Sequence, residues 1–315
     1  MEEIKNVTIV GAGTMGHSLA QAFGQGGYEV WLNDVREEIL IKAKSLIASN
    51  LKTLAEMGFL EEPEIPKILG RIHTSIKLAE GCSKSDFVLE AIFEDIEAKK
   101  ALFRALDQVC PPETILASNT SFLDIFKFVE TNRPKKVIIA HWYAPPHIVP
   151  LVEVVRGPQT SQQTVDQVKN LLIRLGKKPI VLSKFLPGFI GNRLQSALSM
   201  EVDFLLDNGY ATAEDIDEAT KASFGLRIPI LGLVKRMDFS GLDLIQKLRK
   251  NQQYTAPKPR NNSETIDRLV SEGKLGVKSG KGFYDYGGRS PEEIMKERDF
   301  KLLKLREFLK SIGEL

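Results

Sequence analysis

Lys5-Asn6-Val7-Thr8-Ile9-Val10 runs without interruption into Gly11-Ala12-Gly13-Thr14-Met15-Gly16, and this stretch decides the fold. The opening run is short, apolar and β-branched, the composition of a buried strand. The spaced glycines then turn the chain, and residues 14–24 have helical composition. Outward from this point, Tyr28-Glu29-Val30-Trp31-Leu32-Asn33-Asp34 reads as a second strand closing on an acid, and residues 37–57 read as a long helix. Strand-like runs recur at 87–91, 115–118, 137–141, 151–155 and 178–182, with helical segments such as 161–176 between most of them. Strands alternating with helices predict an α/β domain built on a doubly wound, mostly parallel sheet, over residues 1–184. Past Pro187-Gly188 the strand pattern stops. Residues 190–208 read as helix, Thr212 caps the next with Asp215 in its first turn, and 291–310 form an amphipathic terminal helix. Residues 185–315 should therefore be an all-α C-terminal domain.

Composition removes several classes of function. A hydrophobic fraction of 43% with 27% charged residues is that of a folded, water-soluble protein, and no apolar run is long enough to span a membrane. Lys and Arg (43) nearly balance Asp and Glu (41), so no overall field draws nucleic acid or an anionic membrane, and an anionic ligand must be held locally. The chain runs straight into a strand without a basic, apolar leader, which with only two cysteines points to a cytoplasmic setting. Cys82 and Cys110 are read as free thiols, a structural disulfide being the alternative. No metal site is expected.

The glycine pattern gains meaning from its setting, because it follows a strand and opens a helix. Gly11 permits the tight turn, Gly13 lets the backbone approach a pyrophosphate, and Gly16 allows helix and strand to pack closely; Thr14 and Met15 complete the loop. Asp34 ends the second strand, where a carboxylate accepts hydrogen bonds from the adenine-ribose hydroxyls and repels a 2′-phosphate. The N-terminal domain is thus read as a Rossmann-type domain for NAD, with Arg36 the residue that keeps NADP open.

Four histidines make the search for a proton acceptor short. His17 follows the glycine loop and His73 lies in a polar stretch, and neither reads as catalytic. His141 ends an apolar strand at the sheet edge where ligands bind, and Glu153 interrupts the apolar run Leu151-Val152-Glu153-Val154-Val155. A carboxylate in such a run needs a partner, and His141 is the candidate: Glu153 on one ring nitrogen would fix the tautomer and leave the other for a substrate hydroxyl. The alternative is a Glu153 facing solvent from an edge strand beside a His141 satisfied in the core.

Taken together, GAGTMG, LEAIFEDIEAKKALF, ASNTS, the histidine of HWYAPP, PLVEVVRG, PGFIGNRL and GVKSGKGFYDY resemble the L-3-hydroxyacyl-CoA dehydrogenases, in order, over about residues 4–286. The resemblance implies oxidation of a 3-hydroxyacyl-CoA to its 3-oxo product with NAD, as in fatty-acid β-oxidation, by a homodimer joined through the helical domain. It implies His141 as base, Glu153 as its orienting carboxylate, and Ser121 and Asn192 as hydrogen-bond partners of the reacting oxygen. Glu94, Lys99, Ser121 and Lys278 fall on cofactor-contacting positions. Without the resemblance, Ser121 would be read as a helix cap and Asn192 as a helix-start residue.

Two positions depart from the family pattern. Ala144 stands where an asparagine is expected, and Ser45 follows Lys44 where a second lysine would meet coenzyme A. With the 145–153 segment and the added C-terminal helix, they lean toward relatives acting on free polar hydroxy acids of the gulonate, carnitine or pyridine-alcohol type; His147 would then be a candidate for a substrate carboxylate. The acyl-CoA substrate is nevertheless placed first. A non-catalytic, crystallin-like NAD-binding protein is the reading from another class, with the retained His141, Glu153, Ser121 and Asn192 against it.

Overall fold

The strands pair into one eight-stranded sheet in the order β3-β2-β1-β4-β5-β6-β7-β8. They are β1 (Asn6–Val10), β2 (Glu29–Asn33), β3 (Ile72–Ser75), β4 (Phe87–Glu90), β5 (Ile115–Ser118), β6 (Val137–Trp142), β7 (Leu151–Val155) and β8 (Lys178–Leu182). From β3 to β6 every pairing is parallel; β7 runs antiparallel to β6, and β8 parallel to β7. The computed structural model describes residues 4–251 and 254–315, in two compact units, Met1–Arg193 and Leu194–Leu315.

The helices are α1 (Gly16–Gln25), α2 (Glu37–Glu56), α3 (Glu64–Gly70), α4 (Leu78–Cys82), α5 (Ile96–Val109), α6 (Gln162–Arg174), α7 (Gly191–Asp207), α8 (Ala213–Thr220), α9 (Leu226–Ser240), α10 (Leu242–Asn251), α11 (Glu264–Ser271) and α12 (Pro291–Ser311). Two-residue alternation gives the sheet two apolar faces. Val7, Ile9, Val30, Leu32, Ile138, Ala140, Val152 and Val154 join one core cluster with Leu19 and Phe23 of α1, Ile47 of α2 and Val168 of α6. Val10, Val88, Leu116, Val137, Ile139 and Val155 join the other with Phe103 and Leu106 of α5, the free thiols Cys82 and Cys110, and Phe189. Because Phe189 belongs to this second cluster, the first unit continues past Lys184, where the strand pattern had placed its end.

β3 was not legible in the sequence. It is four residues long with Ile72 alone apolar, and its pairing with β2 holds it, with His73 opposite Trp31 and bonded to Glu29 (Nε2 to Oε2, 3.1 Å). β8 carries Pro179 in an outer strand, where a missing N–H costs no ladder bond.

In the second unit, a capping box between Thr212 and Asp215 starts α8 as the sequence predicts, and Ser290 with Glu293 does the same for α12. Asp207, the last residue of α7, accepts from the Thr265 N–H (3.0 Å), Ser263 Oγ (2.9 Å) and Arg260 (2.9 Å), fastening the start of α11. Leu269, Leu303 and Leu309 are buried in this unit, whereas α7 to α10 bury no residue. Among the described residues no helix is long and apolar enough to cross a membrane.

Candidate active site

The parallel strands place the carboxyl ends of β1, β2, β4, β5 and β6 on one edge of the sheet, and the residues singled out in the first unit gather there. At the end of β1, Gly11 has φ +100°, and a Cβ on it would lie 2.6 Å from the Ala91 carbonyl oxygen. A Cβ on Gly16 would overlap the Gly11 carbonyl oxygen, while Gly13 is exposed with open space around it. Thr14 is exposed and Met15 is the N-cap of α1, which has neither a side-chain cap nor an acidic residue in its first turn. Asp34 lies against this loop: Oδ2 accepts the Ala12 N–H (2.9 Å) and Oδ1 the Arg36 N–H (3.2 Å). An uncapped helix start beside an open glycine fits a pyrophosphate, and the carboxylate just beyond it fits ribose hydroxyls.

His141 and Glu153 stand directly opposite one another across the antiparallel β6–β7 pair, so both project from the same face. His141 Nδ1 lies 3.0 Å from Glu153 Oε2, and both side chains are buried. With the Nδ1 proton donated to Glu153, Nε2 accepts from Ser121 Oγ at 3.1 Å. Glu153 is saturated: Oε1 accepts the Ile190 and Gly191 N–H groups at 2.8 and 3.1 Å, and Oε2 also accepts the Tyr143 hydroxyl at 2.9 Å. Burial alone would raise the Glu153 carboxyl, but the bonds from His141, Gly191, Ile190 and Tyr143 outweigh it and hold the group below its ordinary value. Asn192 sits in the first turn of α7, its backbone bonded to the Tyr143 hydroxyl.

A second polar network runs behind Ser121. Lys99 Nζ contacts Glu90 Oε1 at 2.5 Å and Glu94 Oε2 at 3.2 Å, and the Lys99 side chain is 1% exposed. Ser118 Oγ donates to Glu90 Oε2 (2.6 Å), while Glu94 Oε1 accepts Thr120 Oγ1 and the Ser121 N–H, each at 2.7 Å. Burial would raise Glu94, but Thr120, Ser121 and Lys99 together bring it below its ordinary value. Glu94 and Lys99 therefore brace the loop that carries Ser121.

Of the remaining sequence candidates, Lys278 lies in the second unit, in the short turn Val277–Ser279. His17 Nδ1 meets the Gly13 carbonyl at 2.9 Å, and His147 Nδ1 meets Ser18 Oγ at 2.8 Å. Ala144 is exposed after β6, and Ser45 is exposed on α2. Sequence reasoning passed over Glu90 and Tyr143. Glu90, a carboxylate at the end of an apolar run, carries the same signal that singled out Glu153; Tyr143 carried none beyond being aromatic.

The profile of the 3-hydroxyacyl-CoA dehydrogenase NAD binding domain matches residues 6–185, and that of the C-terminal domain matches 188–286. The chain belongs to the 3-hydroxyacyl-CoA dehydrogenase family. As a member it is an NAD-dependent oxidoreductase, with the glycine loop and Asp34 in the family's NAD-binding domain. It is 30% identical over 308 residues to the 5-formyl-3-hydroxy-2-methylpyridine 4-carboxylate 5-dehydrogenase of Mesorhizobium japonicum, covering 97% of this chain and 98% of that one. It is 37% identical over 289 residues to a probable 3-hydroxybutyryl-CoA dehydrogenase of Bacillus subtilis, covering 90% and 98%. A solved structure of a 5-formyl-3-hydroxy-2-methylpyridine 4-carboxylic acid 5-dehydrogenase, an NAD+-dependent dismutase, superposes with a TM-score of 0.86 at 28% identity, covering 98% of this chain and 99% of that one.

Proposed function

We propose that this family member oxidises the alcohol of a free, polar hydroxy acid, with His141 as the general base. The observation that supports the chemistry is the hydrogen-bonded run Ser121–His141–Glu153. When bound, NAD supplies the hydride acceptor. Glu153 fixes the imidazole so that Nε2 faces the substrate hydroxyl and takes its proton, and Ser121 positions the same oxygen. Gly11, Gly13, Thr14, Met15, Gly16 and Asp34 would hold NAD, and Glu94 and Lys99 would act on that site through the Ser121 loop. Asn192 and Lys278 are assigned to substrate and cofactor respectively.

For the substrate, the free-acid reading is supported by length. Residues 287–315, which contain α12, lie beyond the C-terminal family profile, and the pyridine carboxylate relative matches over 97% of this chain. Exposed Ala144 and Ser45 agree with it. The second reading, a 3-hydroxyacyl-CoA substrate as in β-oxidation, is favoured by the 37% identity to the 3-hydroxybutyryl-CoA enzyme. Incubation with NAD and a panel of 3-hydroxybutyryl-CoA, gulonate, carnitine and a pyridine alcohol, followed by NADH absorbance, separates the two. Turnover of a free acid but not of the thioester is expected; reduction of NAD by 3-hydroxybutyryl-CoA alone would replace the first reading by the second.

The same reading includes a homodimer joined through the helical unit and a cytoplasmic location. Leu198, Leu226, Val234, Phe239 and Leu242 are all more than half exposed, and α7 to α10 bury nothing, so these helices carry apolar side chains that a second copy would cover. Light scattering on the purified protein should return twice the 35.2 kDa chain mass.

A further inference from the structure

We infer that Tyr143 is a positioning residue that sets how strongly Glu153 holds a protonated His141. The inference rests on His141 being the base. Three contacts converge on the phenol. Its hydroxyl donates to Glu153 Oε2 at 2.9 Å, the same oxygen that takes His141 Nδ1 at 3.0 Å. Its ring packs edge-on against the imidazole, with centroids 4.7 Å apart. It is also bonded by the Asn192 backbone, and a Cβ on Gly191 would overlap Oη, so the start of α7 is shaped around this hydroxyl.

A carboxylate oxygen shared by two donors gives each less than it would give one. The groups facing His141 are Ser121 from the loop after β5, the Phe189 ring at 5.1 Å from the loop before α7, Glu153 from β7 and Tyr143 itself, with Glu94 behind the Ser121 amide. Glu153 is therefore the charged partner in direct contact, and Tyr143 competes for it. Burial and the Glu153 carboxylate both push the phenol well above its ordinary value, so it stays a donor and exchanges no proton with substrate. Removing the hydroxyl returns the full charge of Oε2 to the imidazolium, which then keeps its proton to higher pH. A tyrosine at this position thus keeps His141 available as a base at lower pH than a phenylalanine would.

The test is Tyr143→Phe, read by the pH profile of kcat/KM on the alcohol that reduces NAD, and by NMR titration of the His141 ring, assigned against His141→Ala. Both the acid limb and the ring titration should move upward by about half a unit to one unit. Gly191→Ala, which displaces the hydroxyl, should move the ring titration in the same direction and add little in the Tyr143→Phe background. A ring titration that is unmoved or moves downward in folded Tyr143→Phe overturns the inference, as does full additivity of the two changes. Because NMR reads the ring without turnover, a His141→Ala protein that stays active would sink the base reading while the ring titration still decides the role of Tyr143.

Discussion

Lys99 Nζ lies 2.5 Å from Glu90 Oε1, and both side chains are withdrawn from water. Glu90 sits at the end of β4 and Lys99 in the first half of α5, so this ion pair ties the carboxyl edge of the sheet to the helix packed beneath it. Through Glu94 the same ammonium reaches the backbone of Ser121. A residue that sequence resemblance assigns to the cofactor is thereby placed where it holds the loop bearing Ser121.

Lys99→Met should destabilise the first unit by about 3–5 kcal/mol, because it leaves the Glu90 carboxylate buried without its cation. Urea denaturation checks this. A loss below about 1 kcal/mol would mean that Ser118 and the Ile92 N–H satisfy Glu90 unaided.

His141→Ala should lower kcat by roughly two to four orders of magnitude while leaving NADH affinity nearly unchanged, since the ring contacts Ser121 and Glu153 and makes no bond to the glycine loop. Glu153→Gln should lose less activity than His141→Ala. Stopped assays and NADH fluorescence titration read the two effects separately; weak NADH binding by His141→Ala would move that residue into the cofactor site.

Asp34→Ala should shift the preference for NAD over NADP by about tenfold, the worth of one charge-assisted hydrogen bond. The Ala12 N–H also loses its acceptor, so affinity for NAD itself should fall. Paired Kd measurements for NADH and NADPH test this, and an unchanged ratio would assign the choice to Arg36 instead.

Asp207→Asn should lower Tm at neutral pH by roughly a few degrees. The Thr265 amide first, then Ser263 and Glu264, outweigh burial and hold Asp207 at about 2, below its ordinary value of 3.8. A depressed carboxyl stabilises the fold above the unfolded value and loses that contribution as pH falls through the folded one. The gap between the parent and the variant should therefore be full above about pH 4 and narrow toward pH 2. Melting curves across that range decide it; a gap that widens as pH falls would show the opposite sign.

Much of this was legible residue by residue. The glycine loop, Asp34 and the paired signals of His141 and Glu153 could be read because a strand-loop-helix pattern and an isolated carboxylate in an apolar run are local properties of the chain. The Thr212 cap of α8 was readable for the same reason. β3 was not, since four mostly polar residues become a strand only when β2 offers them a ladder. Tyr143 was not, since its role depends on sharing with His141 an oxygen of Glu153 from the neighbouring strand β7, and on space left by Gly191.

The sequence alone determined a Rossmann-type domain for NAD followed by a helical domain, and the residue types needed for proton transfer, because periodicity, turn chemistry and the cost of burying charge act over a few residues. Tertiary structure decided which groups share an atom. The antiparallel turn of β7 put Glu153 opposite His141 on one face, and α5 carried Lys99 under Glu90 and Glu94. These contacts join neighbouring elements of the chain, but whether the side chains meet is set by strand register and helix packing, which no local pattern specifies.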